Sequence, residues 1–151
     1  MRSYLVRHAK AGQRDRWEGA DAERPLSIAG RAQAEAIAER LVGVASGVLV
    51  SSPFVRCVQT LQPLAARLDA DVVTDARLGE GATISDALAV LAEAGDGAVL
   101  CSHGDVIPDV VGALVRRGLQ LTTRPLWKKG VIWTLDGDGD GYVEAGSERP
   151  V

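Results

Sequence analysis

Only two histidines occur in this 151-residue chain, and each directly follows an apolar run that reads as a β-strand. His8 comes after Ser3-Tyr4-Leu5-Val6 as Val6-Arg7-His8, and His103 comes after Ala98-Val99-Leu100-Cys101 as Cys101-Ser102-His103-Gly104. A third run, Val48-Leu49-Val50-Ser51, leads into Ser52 and Pro53, with Arg56 in the first turn of the helical pattern behind it. Ligands of open α/β sheets bind beyond the C-terminal ends of the strands. Arg7, His8, Arg56 and His103 would therefore share one rim, as two fixed positive charges and two groups that titrate near neutrality. A helix N-terminus there adds free N–H groups and a partial positive charge. Arginine adds a planar fork of donors matched to phosphate oxygens. Singly, each residue has an ordinary explanation, a hydrogen-bonded strand-end histidine or a solvated arginine. Jointly they suit a phosphoryl group.

The chemistry such a set permits is phosphoryl transfer to histidine. A neutral imidazole attacks phosphorus in line and divides one difficult displacement into two easier ones. The attacking nitrogen must be unprotonated, so the other ring nitrogen is expected to donate to a backbone carbonyl. Arg7, Arg56 and His103 can hold the equatorial oxygens, where charge needs stabilising in the transition state. A carboxylic acid is still required to protonate the leaving group and later activate water. Glu80, in the glycine-flanked Leu78-Gly79-Glu80-Gly81 after the Val72-Val73 strand, is the candidate.

The elements that must position these groups alternate between strand and helix. Ser27 caps a helix running to about Leu41, with Ala34, Ile37, Ala38 and Leu41 on one face. Ser52 and Pro53 read as N-cap and first helical position of a second helix, with an apolar stripe of Cys57, Leu61, Leu64, Ala65 and Leu68. A helix over 85–94 should turn Leu88, Leu91 and Ala92 inward, and another should bury Ile107, Val110, Val111, Leu114 and Val115 before Gly118 stops it. Val131-Ile132-Trp133-Thr134-Leu135 and Tyr142-Val143-Glu144-Ala145 should pair across an Asp-Gly turn. The pattern specifies an α/β class: a three-layer α/β/α sandwich with a mostly parallel central sheet, in a single domain over 1–151.

Composition sets the outer limits. An apolar fraction of 46% and a charged fraction of 25% fit an ordinary globular domain, with no disordered or fibrous character. No apolar run approaches the roughly 20 residues a membrane span needs, and Met1-Arg2-Ser3-Tyr4-Leu5-Val6-Arg7 is unlike a signal peptide, so a cytoplasmic location is expected. A net charge of −3 without a long basic run argues against a nucleic-acid polymer as partner. Cys57 and Cys101 have no metal-ligand spacing and read as small buried apolar residues. Asp136-Gly137-Asp138-Gly139-Asp140-Gly141 resembles a calcium loop, yet its twelfth position is Ser147, so it reads as a hairpin turn. Arg116, Arg117, Arg124, Lys128 and Lys129 form either a solvated face or a rim for an anionic substrate. Lys10, Arg14, Arg16 and Trp17 follow the first strand closely, where a loop could touch the leaving group and Trp17 could stack on a base.

Three motifs in order resemble the histidine phosphatase, or phosphoglycerate-mutase-like, superfamily over nearly the whole chain. Leu5-Val6-Arg7-His8-Ala9 looks like its Arg-His signature, the Ser51–Thr60 stretch resembles its second motif, and Ser102-His103-Gly104 resembles the motif of its second histidine. The resemblance implies a phosphoglycerate-mutase-like fold and a phosphohistidine intermediate on His8. It further implies a phosphate pocket of Arg7, Arg56 and His103, an acid that maps onto Glu80, and no metal or other cofactor. Mutases and many phosphatases have glycine and then an acid after the histidine, where this chain has Ala9 and Lys10. The Arg-His-Ala start and short length look like the SixA branch, which acts on phosphohistidine of signalling proteins. Arg7 to Leu26, with Trp17 and Arg24-Pro25-Leu26-Ser27, also resembles the phosphatase domain fused to some bacterial Nudix hydrolases, which act on nucleotides. The long insertions of mutases are absent, so mutase activity is not expected.

The expected partner is thus a phosphorylated small molecule, a nucleotide or a phosphohistidine protein. A non-catalytic module that binds a phosphorylated ligand in the same pocket is the alternative, although binding alone requires no nucleophile. A metal-dependent hydrolase finds few ligands here, and a serine hydrolase lacks its Gly-x-Ser-x-Gly elbow. Oligomeric state is not legible in the pattern.

Overall fold

The computed structural model describes residues 1–150 and contains one seven-stranded sheet. In chain order the elements are β1 (Arg2–Arg7), α1 (Ile28–Leu41), β2 (Leu49–Ser51), α2 (Val55–Leu68), β3 (Val72–Thr74), α3 (Ile84–Ala94), β4 (Val99–Ser102), α4 (Val106–Arg116), β5 (Gln120–Leu121), β6 (Ile132–Asp138) and β7 (Gly141–Glu148). The spatial order is β3-β2-β4-β1-β6-β7-β5. β3, β2, β4 and β1 run parallel, as the apolar strands separated by helices require. β6 and β7 extend the sheet antiparallel from β1, and the two-residue β5, which the pattern gave no sign of, pairs parallel with β7.

Period-2 alternation divides the core into two layers. Leu5 and Leu100 face one way, into a cluster with Val90, Leu91, Ile107, Val110, Val111, Leu114 and Trp133 under α3 and α4. Tyr4, Val6, Val99 and Cys101 face the other way, against Ile37, Leu41, Cys57, Leu61 and Leu64 of α1 and α2. The three-layer expectation holds, and Cys57 and Cys101 are free and buried. The Asp-Gly segment is the β6–β7 hairpin, with Asp138 accepting from the Asp140 N–H. No helix among the described residues is long and apolar enough to cross a membrane.

Three helix expectations are corrected. The second helix starts at Val55 with Phe54 at its N-cap, not at Ser52-Pro53. Ser52 directly follows β2 and is held there, because its N–H donates to the Cys101 carbonyl and its side chain is used elsewhere. On α3 the inward face is Ala87, Val90 and Leu91, while Ala92 is exposed, one residue step of about 100° beyond Leu91. Val115 is likewise turned out beyond Leu114 at the end of α4.

The segment after β1 is clamped against α1. Ser27 caps that helix, its hydroxyl accepting from the Gly30 N–H at 3.1 Å, and its own N–H and hydroxyl both reach the Lys10 carbonyl. A Cβ on Gly30 would lie 1.8 Å from that carbonyl oxygen, so only glycine lets the helix approach so closely. Gly30→Ala is expected to destabilise the fold toward the upper end of the 1–3 kcal/mol typical of overpacking, about 3 kcal/mol, read as a lower urea midpoint at unchanged slope. An unchanged midpoint would show that this contact is not tight.

Candidate active site

Strand register brings the two histidines together. β1 and β4 pair in parallel with Val6 opposite Cys101 and Arg7 opposite Ser102, so His8 and His103 leave adjacent strands at the same level. The His8 N–H continues the ladder to the Ser102 carbonyl at 3.1 Å. The rings lie 5.5 Å apart between centroids, at 66°. Both are buried, and they line a cavity of about 220 Å³ with Arg7, Arg14, Arg24, Arg56, Glu80, Gly104, Asp105 and Lys129. All five residues expected at the core of the site are therefore on one cavity. A larger groove of about 470 Å³ beside α1 and α2, lined by residues such as Arg31, Glu35 and Gln62, contains none of them.

His8 Nδ1 lies 2.8 Å from the Ala9 carbonyl, the backbone contact the chemistry calls for. That acceptor fixes the proton on Nδ1 and leaves Nε2 as the unprotonated nitrogen. Burial, reinforced by the positive charges of His103, Arg56 and Arg7, pulls the His8 pKa down to about 3, against the opposing pull of the Ala9 carbonyl. His103 is oriented from outside the cavity. Its Nε2 is 2.8 Å from Ser52 Oγ and 3.6 Å from Cys57 Sγ, and the Phe54 ring packs edge-on at 4.7 Å.

Arg56 is almost wholly buried at the start of α2. One of its terminal nitrogens donates to the Asp21 carbonyl at 2.9 Å, and the other donates to Asp21 Oδ2 at 3.1 Å and Glu80 Oε2 at 2.9 Å. Arg7 donates to the Trp127 carbonyl at 2.6 Å and lies over Gly104, where a Cβ would be 2.6 Å from the guanidinium carbon. Burial lowers the Arg7 pKa, partly offset by Asp105, and the guanidinium stays charged. Among the described residues, two buried side-chain polar atoms have no hydrogen-bond partner, Arg7 Nε and Arg56 Nε.

Several lining residues were not singled out by sequence reasoning. Arg24 is buried and donates to Asp21 and to the Gly12 carbonyl. Burial pushes the Asp21 carboxyl up, but the hydrogen bond from Arg24 and the charges of Arg56 and Arg24 prevail and hold it below the usual carboxylate range. Asp105 accepts from the Gly81 N–H at 2.8 Å and so pins the loop that carries Glu80. Glycines flanking Glu80, and an acid two residues after His103, were the only signals available for that contact. Arg14 is on the cavity, 4.0 Å from Glu80. Lys10 is on an adjoining cavity that shares Arg7 and Lys129. Trp17 lies on a separate pocket that shares only Arg24, with its indole N–H bound to the Ala20 carbonyl at 2.9 Å. Of the basic cluster, Lys129 reaches the main cavity and Lys128 the adjoining one. Among the described residues, no group of three or more His, Cys, Asp and Glu side chains is placed to hold a metal ion.

The fold and the motifs have counterparts in known proteins. The model of the histidine phosphatase superfamily, branch 1, matches residues 3–83. An 8-oxo-(d)GTP phosphatase of Mycolicibacterium smegmatis is 35% identical over 156 residues, covering 96% of this chain and 48% of the relative, so this chain spans about half the length of that protein. A structure assigned as a candidate phosphohistidine phosphatase SixA from Agrobacterium tumefaciens is 26% identical, with a TM-score of 0.68 over 89% of this chain and 90% of that one. The protein histidine phosphatase SixA in complex with tungstate is 25% identical, with a TM-score of 0.68 over 98% and 94% of the two chains.

A lowered His8 pKa has a definite sign in solution. Between pH 6.5 and 3 the unfolded chain binds a proton at His8 that the folded chain does not, so this residue's contribution to stability is complete above pH 6.5 and drains away as pH falls toward 3. An NMR titration should find His8 still in the neutral Nδ1–H form at pH 5, where an ordinary histidine is mostly protonated. A midpoint near 6.5 would contradict the burial argument.

Proposed function

The chain belongs to the histidine phosphatase superfamily, branch 1, and from that membership we propose that it is a metal-independent phosphatase with His8 as nucleophile. The observation that carries this reading is the convergence of Arg7, Arg56 and His103 on the cavity that holds the neutral His8. Two guanidinium groups beside one imidazole suit a phosphoryl group, which supplies several acceptors at once.

The sequence of steps follows from the side chains. The Nε2 lone pair of His8 attacks phosphorus as the bond to the leaving oxygen breaks, and that oxygen keeps the bonding electrons. Glu80, on the cavity wall beside Arg56, gives it a proton. Arg7, Arg56 and His103 hold the three equatorial oxygens, and positioning with charge stabilisation is most of what phosphoryl transfer asks of a protein. In the second step Glu80 takes a proton from water, the water oxygen attacks the phosphohistidine, and the P–N electrons return to Nε2. Ser52 Oγ accepts from the Phe54 N–H and lies 2.8 Å from His103 Nε2, which fixes the orientation of that ring. The chain acts within one domain spanning 1–151. Arg14, which faces Glu80, Lys10 and Trp17 are the residues assigned to the rest of the substrate.

The substrate class is a small phosphate or nucleotide, or a protein phosphohistidine; the relatives' names point to both. The fixed Nδ1–H tautomer of His8 favours catalysis over a module that only binds, since binding needs no free Nε2.

Hydrolysis of para-nitrophenyl phosphate should proceed in EDTA, and His8→Ala should lower kcat by at least about 10³-fold while still binding orthophosphate. Unchanged turnover in that variant removes the nucleophile assignment, and loss of turnover in EDTA removes the metal-free mechanism. Glu80→Gln should lower kcat by about 10²-fold or more on an alkyl phosphate, whose leaving oxygen needs a proton, and by much less on para-nitrophenyl phosphate. Equal losses on both would assign the acid to another group.

A further inference from the structure

The three lysines of the chain, Lys10, Lys128 and Lys129, all line a single cavity. It has a volume of about 320 Å³ and adjoins the phosphoryl cavity, sharing Arg7 and Lys129 with it; Gln33 and Arg149 complete its wall. Lysines at positions 10 and 128 are brought together by topology. β6 runs antiparallel to β1 with Ile132 opposite Val6, and β7 runs antiparallel to β6 with Glu148 opposite Ile132. The segment entering β6, the residue after β7 and the segment leaving β1 therefore meet at the rim where His8 sits. Gly130 ties the first to the third, its N–H reaching the Arg7 and His8 carbonyls at 3.2 Å.

Charge sets this cavity apart from its neighbour. Arg56, Arg24 and Arg14 at the phosphoryl cavity are each ion-paired with Asp21 or Glu80. No Asp or Glu side chain among the described residues pairs with Arg7, Lys10, Lys128, Lys129 or Arg149. The cost of collecting these cations is visible at Lys129, whose pKa is lowered by burial and then by the charges of Arg7, Arg24, Arg56 and Lys10. The one polar neutral side chain, Gln33, is committed through its Oε1 to the Lys10 N–H. A wall of five cations with no carboxylate is matched by a dense anion.

We propose that this second cavity holds the phosphoryl group next to the one transferred to His8, so that the preferred substrates are phosphoanhydrides, the ends of di- and polyphosphates. Arg7 and Lys129 line both cavities, so anionic groups at the two sites fall under the same two cations. The inference rests on the phosphatase reading above and narrows its substrate class. In the transfer step the bridging P–O bond breaks, its electrons stay on the departing phosphate oxygen, and Lys128, Lys129 and Arg149 neutralise the charge left there. Water then releases orthophosphate from His8 as before, so no further reactant is needed.

The test compares inorganic pyrophosphate with para-nitrophenyl phosphate, in the parent protein and in a Lys128→Ala/Arg149→Ala double variant. Both substituted residues are exposed, and Lys128→Gln serves as a second, milder variant should the double one fold poorly. The double variant is expected to raise KM for pyrophosphate by about tenfold more than KM for the aryl phosphate, about 1.4 kcal/mol of lost binding. Equal factors for the two substrates, or none for either, overturn the proposal. If the parent hydrolyses neither substrate, the phosphatase reading fails by itself, and calorimetry on the His8→Ala protein still decides the second cavity. Pyrophosphate binding about tenfold tighter than orthophosphate, with the gain lost in the double variant, supports it; equal affinities overturn it. A phosphohistidine protein preferred over pyrophosphate, with that preference erased by the same variant, also overturns it, in favour of an acidic protein surface as occupant.

Discussion

Positive charge held out of water is the constraint on which the rest of this structure depends. Arg56 is about as buried as any leucine of the core, and an unpaired guanidinium in that position would be several kcal/mol too costly to keep. Asp21 and Glu80 converge on it from two segments that otherwise have no reason to meet. The pairing anchors the turn before α1 to the start of α2 and to the loop before α3. It also leaves donors over, since both carboxylates engage the terminal nitrogens and neither takes the Nε of Arg56. A site that were fully self-satisfied would be stable and chemically inert.

The two halves of the sheet divide the labour. Parallel strands β1 and β4 bring two imidazoles side by side, because parallel neighbours end at the same edge. Antiparallel β6 and β7 do the reverse, delivering the residues that precede one strand and follow the other to that same edge. The parallel half therefore supplies the two imidazoles, and the antiparallel half supplies Trp127, which anchors Arg7, and the lysines beside it. Glycines mark the closest approaches. Gly30 admits the Lys10 carbonyl to the first turn of α1, and Gly104 admits the Arg7 guanidinium.

His8 illustrates how local contacts set both tautomer and pH response. The Ala9 carbonyl fixes which nitrogen carries the proton. Burial and neighbouring cations then keep the other nitrogen free, since a second proton there would add charge where three positive groups already crowd. In the proposed reaction, Nε2 is free because a proton is denied to it, and no base has to remove one. Cys57 and Ser52 belong to the same arrangement on the other side, holding His103 from within the α2 layer.

Much of this was written in the sequence. Apolar runs ending at His8, His103 and Ser51 located the edge that carries the cavity, and glycines around Glu80 marked a loop that could reach it, because strand periodicity and chain order are local properties that a sequence displays directly. The start of α2 was misread because Ser52-Pro53 has good capping chemistry, while Ser52 is claimed instead by His103, a partner 51 residues away. Asp21, Arg24, Asp105 and the grouping of Lys10 with Lys128 carried no local mark, since their roles depend on distances between segments far apart in the chain. The sequence by itself determined the elements, the edge at which they present functional groups and the neighbours of the two histidines along each strand. Tertiary structure alone decided which charges are neutralised and which are left to meet a ligand, because electrostatic pairing depends on separation in space and on exclusion of water, and neither is encoded at a single position.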